Sequence, residues 1–165
     1  MSVRVTPRGT RGTGFPRMAP WALAIFKAVN VAMFRIAGRR MRVQGRPLLL
    51  LETVGARTGK RRQTTLGWFP DEDPARRAWL IVASAAGART HPAWFLNLAR
   101  RPNDATIEVD GERVPVRAGS LQGPERERAW ARVVSLAPGY GKYERDTDRE
   151  IPVVRLTPKA VSAAG

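Results

Sequence analysis

The chain has 165 residues, about one domain, and its 43% hydrophobic content indicates a folded protein. With no cysteine and one histidine, disulfides, thiol nucleophiles, cysteine metal sites and multi-histidine metal sites are excluded. The formal charge of +15 is dominated by arginine, which is typical of high-GC bacterial chains. If the positive charge instead has a function, it implies an anionic partner: nucleic acid, acidic lipid, or a small molecule that carries phosphate or carboxylate.

The N-terminal part divides into two segments. Residues 1–18 are rich in Gly, Pro, Thr and Arg without periodicity, which predicts a flexible basic arm, and they contain no signal-peptide pattern. Residues 19–40 are expected to form an amphipathic helix over 20–37 that begins with a proline in its first turn. Three alternatives remain open: the helix packs against the domain, lies on an anionic membrane surface, or spans a membrane.

Residues 41–165 are expected to form one domain that is mostly β. Asp110-Gly111 between two alternating runs is a strong hairpin signal, because both residues tolerate positive φ. Short helices are predicted over 92–100 and 124–136. The predicted strands cover residues 41–43, 47–53, 64–69, 78–84, 105–109, 112–117 and 151–156. About six mostly antiparallel strands with few helices predict a small barrel.

Residues 48–69 read LLLLETVGARTGKRRQTTLGWF, a strand, a basic turn and a second strand. Gly55 and Gly59 permit a tight backbone, and Thr58 offers a hydroxyl. Free backbone N–H groups and clustered cations suit a polyanionic ligand. The cations of this turn are Arg57, Lys60, Arg61 and Arg62. A solvated hairpin tip has a similar composition and remains an alternative.

Two further segments are candidates for chemistry. Ser84 ends a strand and enters a loop of small residues, which allows a ligand to approach the backbone before the next helix begins. His91, near that helix, is interpreted as a structural cap or surface residue rather than a proton shuttle. Tyr140 and Tyr143, the only tyrosines, either line a pocket as hydrogen-bond donors or cap a helix as packed aromatics.

Three stretches in this order resemble the deazaflavin (F420)-dependent nitroreductase family. They read GARTGKRRQTTL, ASAAGARTHPAWFLNLARRP and PGYGKYERDTDREIPVVRLTP. The resemblance covers roughly residues 46–158, most of the folded chain. It implies a split β-barrel that is mainly β with an N-terminal helix and two to three short helices. It also implies that residues 41–165 bind coenzyme F420, which carries a phosphate and an acidic oligoglutamate tail, with FMN as the alternative cofactor.

The resemblance assigns residues as well as a fold. The basic turn and second strand hold the phosphate and tail, and the loop of small residues with the next helix approaches the deazaflavin ring. The implied cofactor-binding residues are Arg57, Thr58, Lys60, Arg62, Gln63, Thr64, Ser84, Ala85, Gly87 and Trp94. The implied catalytic residues are Tyr140, Tyr143 and Ser84. No metal is expected.

The implied activity is hydride transfer from reduced F420 to an electron-poor acceptor such as a quinone, an enone or a nitro compound. A non-catalytic deazaflavin carrier is the alternative. No nucleic acid partner is expected, because the surface aromatics of a single-strand binder are not evident. We expect a cytoplasmic protein, with contact to the inner membrane face through residues 19–40 as an open possibility.

The chain departs from the family pattern at four positions. Ala86 replaces the first of two glycines, and Ala85 stands where a lysine is often found. Ala137 and Gly67 occupy places where relatives carry an aromatic residue and a tyrosine. Despite these changes we expect cofactor binding to be retained, and they predict a roomier, less aromatic acceptor pocket.

Overall fold

The computed structural model describes residues 2–14, 19–37, 40, 42–43 and 45–160. Within these ranges the chain forms four α-helices and eight strands. The helices are α1 (Pro20–Ala37), α2 (Ala93–Arg100), α3 (Gly123–Leu136) and α4 (Gly139–Asp146). The strands are β1 (Arg42–Val43), β2 (Arg46–Val54), β3 (Arg61–Gly67), β4 (Phe69–Pro70), β5 (Trp79–Val82), β6 (Ala105–Val109), β7 (Glu112–Ser120) and β8 (Val153–Pro158).

All strand pairs are antiparallel and belong to one curled sheet. The order is β1-β2-β6-β7-β8-β5-β4, and β3 pairs with β2. Strand β3, which pairs with β2 near one end of this order, and β4 at the other end are separated in the chain only by Trp68, so the sheet curls back toward itself. This is the predicted split β-barrel, and the fold class is confirmed.

The hairpin between β6 and β7 is confirmed in detail. Val109 pairs with Glu112, and the two residues between them, Asp110 and Gly111, have φ angles of 51° and 85°. Positive φ at both central positions is the geometry of the type I′ turn, whose twist matches that of the strands. The Asp-Gly pair therefore fixes the register of this hairpin.

Several elements differ from the predicted bounds: β5 is shorter (Trp79–Val82), β7 extends to Ser120, and β8 is shifted to Val153–Pro158. Two further differences lie at the site. Strand β3 begins at Arg61 rather than residue 64, because pairing with β2 continues to Val54↔Arg61 beside the turn. The tyrosine segment forms the helix α4, although two of its first three residues are glycine. Glycine disfavours helices, and packing of Tyr140 against the body of the protein compensates.

The core has two main layers. Inside the curl, side chains of β2 and β5–β8 pack with α2, whose Phe95 and Leu98 are fully buried. On the opposite side of β5 and β8, helices α3 and α4 cover a second cluster that contains Trp130 and Tyr140. Helix α2 is thereby fixed beneath the turn that joins β2 to β3.

Helix α1 has the predicted bounds but contacts the body only narrowly. Phe34 is its buried residue and packs on Leu48 and Leu50 of β2, while Trp21 and Ile36 are 70% and 87% exposed. Among the described residues, α1 is the helix long and apolar enough to cross a membrane. By itself this is weak evidence, because core helices of soluble proteins and signal sequences pass the same test. The packing, membrane-surface and membrane-spanning interpretations of α1 therefore all stay predictions.

The described part of the N-terminal arm, residues 2–14, lies along the body, in contrast to the flexible arm that composition predicts. Val3 is buried in the core, and the Thr13 amide donates to the Gly87 carbonyl at 3.0 Å. The Asp148 carboxylate accepts hydrogen bonds from the amides of Thr10 and Arg11 at 3.2 and 2.9 Å. Backbone and side-chain hydrogen bonds, which composition does not reveal, attach these residues.

The buried guanidinium of Arg149 fixes the loop after β5. It donates to the carbonyl oxygens of Ala83 at 3.2 Å, Ser84 at 3.0 Å and Ala88 at 3.1 Å. One nitrogen also lies 3.1 Å from Nδ1 of His91. Because a guanidinium only donates, Nδ1 accepts, and the His91 proton sits on Nε2, which donates to the Thr6 carbonyl at 2.8 Å.

His91 is therefore a neutral structural residue, as interpreted from the sequence. Burial lowers its pKa below 6.5, and the Arg149 charge lowers it further, although the hydrogen bond to Thr6 acts in the opposite direction. Below about pH 6.5 the unfolded chain binds a proton that the folded chain excludes. The contribution of neutral His91 to the free energy of unfolding is thus fully present above this pH, and it is lost as the pH falls toward the lowered pKa of the folded state.

This linkage gives a testable prediction. Between about pH 6.5 and 5.5, we expect the free energy of unfolding to fall with pH, by at most about 1.4 kcal/mol per unit. His91→Gln, which keeps an acceptor and a donor, should flatten this dependence, since the chain has no other histidine. Urea denaturation of both proteins across this range measures the slopes. Equal slopes would contradict the assignment.

Candidate functional site

A groove of about 830 Å³ runs between α1 and the turn that joins β2 to β3. Its walls include apolar residues of α1, such as Leu23 and Val31, and the start of α2 at Ala93. Of the predicted cofactor residues, six line this groove: Arg57, Thr58, Arg62, Gln63, Thr64 and Trp94. A second hollow of about 340 Å³ shares Lys27, Val31, Gln63 and Thr64 with it and extends along β3 to Gly67.

The turn has a defined shape because its own backbone and α2 hold it. The Gly55 amide donates to the Lys60 carbonyl and the Gly59 amide to the Gly55 carbonyl, both at 2.8 Å. Gly59 has a φ of 66°, and a Cβ at Gly55 would lie 2.9 Å from Thr58 Oγ1. Asn97 of α2 accepts from the Ala56 amide at 2.9 Å and donates to Thr53 Oγ1 at 3.0 Å. Both glycines are therefore needed, and Asn97 fixes the turn above α2.

The four cations of the turn divide into two groups. Arg61 pairs with Glu52 of β2 at 2.5 Å, whereas Arg57, Lys60 and Arg62 form no ion pair with any acidic residue that the structure describes. The three unpaired cations are exposed. They match the three that the sequence assigns to the phosphate and acidic tail, although Lys60 stands outside the groove wall.

Glu52 is the carboxylate that occupies Arg61. Burial alone would raise the pKa of Glu52, but hydrogen bonds from Gln63 and Arg61 and the charge of Arg113 outweigh it and hold the pKa below its usual value. The Gln63 amide nitrogen donates to Glu52 at 3.1 Å, and its oxygen lies 3.5 Å from Arg35 of α1. Gln63 thus faces the groove with its side-chain amide already hydrogen-bonded to Glu52 and Arg35.

The second predicted cluster lies where the loop after β5 meets α4. Ala85, Ala86 and Gly87 all have positive φ, of 47°, 52° and 78°. A Cβ at Gly87 would approach the Tyr143 carbonyl oxygen to 3.1 Å, so α4 contacts the loop backbone closely. Positive φ at Ala86 explains why a glycine is common there, since an alanine pays a steric cost in this region. The structure therefore brings Ser84, Ala85, Gly87 and Tyr143 together.

Tyr140 is buried and surrounded by aromatic rings. Its ring makes edge-to-face contacts with Phe69, Trp130 and Tyr143 at centroid distances of 5.7, 6.4 and 5.4 Å. Its hydroxyl accepts a hydrogen bond from Nη1 of Arg46. Burial raises the pKa of Tyr140 above 10.0, and the charge and hydrogen bond of Arg46 act against that rise.

Gly67 does not leave the open space that the sequence predicts. A Cβ at Gly67 would lie 2.8 Å from Nη1 and 3.1 Å from Cζ of Arg46, so the guanidinium occupies this space. Cζ of Arg46 lies 4.8 Å from the centre of the Tyr140 ring and 5.3 Å from that of Phe69. In the direction that a side chain at position 67 would take, the space holds a charged group, while the hollow of about 340 Å³ opens beside Gly67.

Sequence reasoning missed three residues that shape the site: Arg46, Asn97 and Arg149. Asn97 and Arg149 do belong to the second and third motif stretches, and their placement inside long motifs is the signal that would have identified them. Arg46 has no such signal, because it is one of 29 cations and its partner Tyr140 lies 94 residues away.

Comparisons with known proteins show the family to which the chain is similar. Residues 27–158 match the model of the family described as F420H(2)-dependent quinone reductase. A protein of that name from Mycobacterium tuberculosis strain H37Rv is 41% identical over 114 residues, which cover 67% of this chain and 73% of that protein. A solved structure described as an F420-H2 dependent reductase is 33% identical, covers 67% of this chain and 94% of its own, and superposes with a TM-score of 0.58.

The family match covers most of the groove and the whole tyrosine helix, and the solved structure shares the fold. The chain therefore belongs to the F420H(2)-dependent quinone reductase family.

Proposed function

We propose that this protein transfers a hydride from reduced F420 to a quinone, with the cofactor held in the groove between α1 and the basic turn. As a member of its family, the chain is an F420H2-dependent reductase with F420 as its cofactor. Enones and nitro compounds are further candidate acceptors, because they too are electron-poor and gain negative charge on oxygen when a hydride adds.

The observation that carries the proposal is the pairing pattern of the turn. Glu52 neutralises Arg61, while Arg57 and Arg62 face the groove without an acidic partner among the described residues. Such cations suit a ligand that brings its own negative charge, as F420 does with its phosphate and tail. The residues present thus fit the cofactor.

Each cluster has its own role in this proposal. Arg57, Arg62 and the Thr58 hydroxyl bind the phosphate and tail, and the exposed Lys60 adds positive charge at the turn. Trp94 and the backbone of the loop at Ser84 orient the deazaflavin ring. When bound in its reduced form, the cofactor supplies the hydride. Tyr140, Tyr143 and Ser84 donate hydrogen bonds to the acceptor oxygen as charge develops there.

Turnover separates this proposal from a non-catalytic carrier. We expect the purified protein to oxidise reduced F420 in the presence of menadione, with a rate that saturates in both compounds. Recovery of the oxidised cofactor's absorbance measures that rate. A protein that binds F420 but leaves the rate at that of the cofactor and quinone alone would be a carrier.

Substitution in the turn tests the cofactor assignment. Arg57→Ala and Arg62→Ala should each weaken F420 binding by about tenfold, because each removes a charged hydrogen-bond donor worth about 1.4 kcal/mol. Arg117→Ala, an exposed arginine on β7, is the matched control and should bind normally. Fluorescence titration with F420 measures the affinity. Unchanged affinity in both turn variants would remove the groove from the proposal.

Membrane contact through α1 is a second proposal, supported by the exposed face of this helix. Trp21, Ile25 and Val29 are exposed, follow one another at four-residue spacing, and do not line the groove among the described residues. Lys27 and Arg35 add positive charge on the groove side of the same helix. An apolar face with basic residues suits a helix that lies on an anionic membrane, which is also where apolar quinones dissolve.

Vesicle co-sedimentation tests this contact. We expect the protein to sediment with vesicles that contain anionic lipid, and Trp21→Ser with Ile25→Ser to weaken binding at least about tenfold, because two large apolar side chains no longer enter the bilayer surface. Leu136→Ser, an exposed leucine on α3, is the matched control. No sedimentation of the unaltered protein would exclude the contact.

A further inference from the structure

Arg46 stands out because a cation this buried requires an explanation. It is 8% exposed, at the start of β2, and its guanidinium lies against the rings of Phe69 and Tyr140. Moving a charge out of water is costly, so hydrogen bonds and ring faces must compensate for it. The nearby space exists because position 67 is glycine, whose missing side chain would otherwise meet Nη1 and Cζ.

The contact with Tyr140 fixes the role of the phenol oxygen. A guanidinium can only donate, so Arg46 Nη1 donates and the Tyr140 hydroxyl oxygen accepts. The phenolic proton must then point away from Arg46. Among the residues that the structure describes, no acceptor receives this proton. The guanidinium that contacts this oxygen also lies against Gly67, which lines the hollow of about 340 Å³, so the hollow is where a bound acceptor would meet the proton.

We infer that Arg46 is a positioning residue, which orients the Tyr140 hydroxyl so that its proton faces the acceptor oxygen during hydride transfer. The inference rests on the proposed function, and Arg46 lies outside the three motif stretches of the family resemblance. Arg46 need not touch the acceptor, since it acts through the phenol.

The proton balance of the step is simple. As the hydride adds to the acceptor, its oxygen gains negative charge and takes a proton from Tyr140. The O–H bond of Tyr140 breaks, its electron pair stays on the phenolate oxygen, and a new O–H bond forms on the acceptor. Arg46 faces the phenolate and stabilises it, and a proton from solvent restores the phenol.

Other charged groups around Tyr140 do not provide this function. The contacts of its ring are Phe69 from β4, Trp130 from α3 and Tyr143 from its own helix, and Arg46 is the cation that contacts it among the described residues. Phe69 and Trp130 cannot ionise. Tyr143 acts in the opposite sense, because it raises the pKa of Tyr140.

A double-mutant cycle tests the inference with the full chain, F420 and menadione. Arg46→Met should lower kcat by about tenfold with little change in F420 affinity, and Arg46→Lys should restore part of the loss. In the Tyr140→Phe background, Arg46→Met should have almost no further effect, because the group on which it acts is absent. Arg42→Met, an exposed arginine of β1, is the matched control. Equal losses in both backgrounds would overturn the inference.

Two further measurements keep the test decisive if Arg46→Met folds poorly or the acceptor is wrong. Gly67→Ala retains the arginine but displaces its guanidinium, so it should lower kcat in the same direction. Carbon-13 NMR at Cζ of tyrosine, assigned with Tyr143→Phe because the chain has two tyrosines, should show the Tyr140 signal shift in either variant without any cofactor. If the Tyr140 signal shifts but the unaltered protein shows no turnover, the contact of Arg46 with Tyr140 is supported and the proposed function is rejected. If the signal does not shift, the role of Arg46 is rejected.

Discussion

The arrangement of the site depends on the buried guanidinium of Arg149. Its N–H groups donate to the carbonyl oxygens of Ala83, Ser84 and Ala88. The last two residues flank three consecutive positive-φ residues, and without Arg149 the three carbonyl groups would share no donor. Through His91 the same group reaches Thr6, so the N-terminal segment, the loop and the start of α2 are fixed relative to one another. A buried charge held by neutral acceptors is costly to disturb, which makes this junction rigid.

The groove and the tyrosine helix offer two different kinds of chemistry. The groove beside the basic turn offers unpaired cations and an apolar wall, which suit binding of an anionic cofactor. The tyrosine helix offers a buried phenol whose pKa burial raises and whose oxygen Arg46 engages, which suits donation of a hydrogen bond or a proton. Glu52 pairs with Arg61 and neutralises one of the cations that line the groove.

Much of the fold could be predicted because its signals are local. The Asp110-Gly111 turn, the bounds of α1 and the strand–turn–strand around Arg57 depend on backbone preferences and periodicity within a few residues. The helix α4 was missed because Gly139 and Gly141 oppose helix formation and only tertiary packing reverses that preference. The filling of the space at Gly67 was missed because Arg46 and Tyr140 are far apart in sequence, and no local pattern reports a contact between them.

The most direct test of the central claim is a fluorescence titration of the unaltered protein with oxidised F420 and, in parallel, with FMN. FMN also carries a phosphate but lacks the acidic tail that the unpaired cations of the basic turn are proposed to bind. We predict saturable binding of F420 with one molecule per chain, weakened by salt, and much weaker binding of FMN under the same conditions. Equal or tighter binding of FMN would contradict the assignment of the groove.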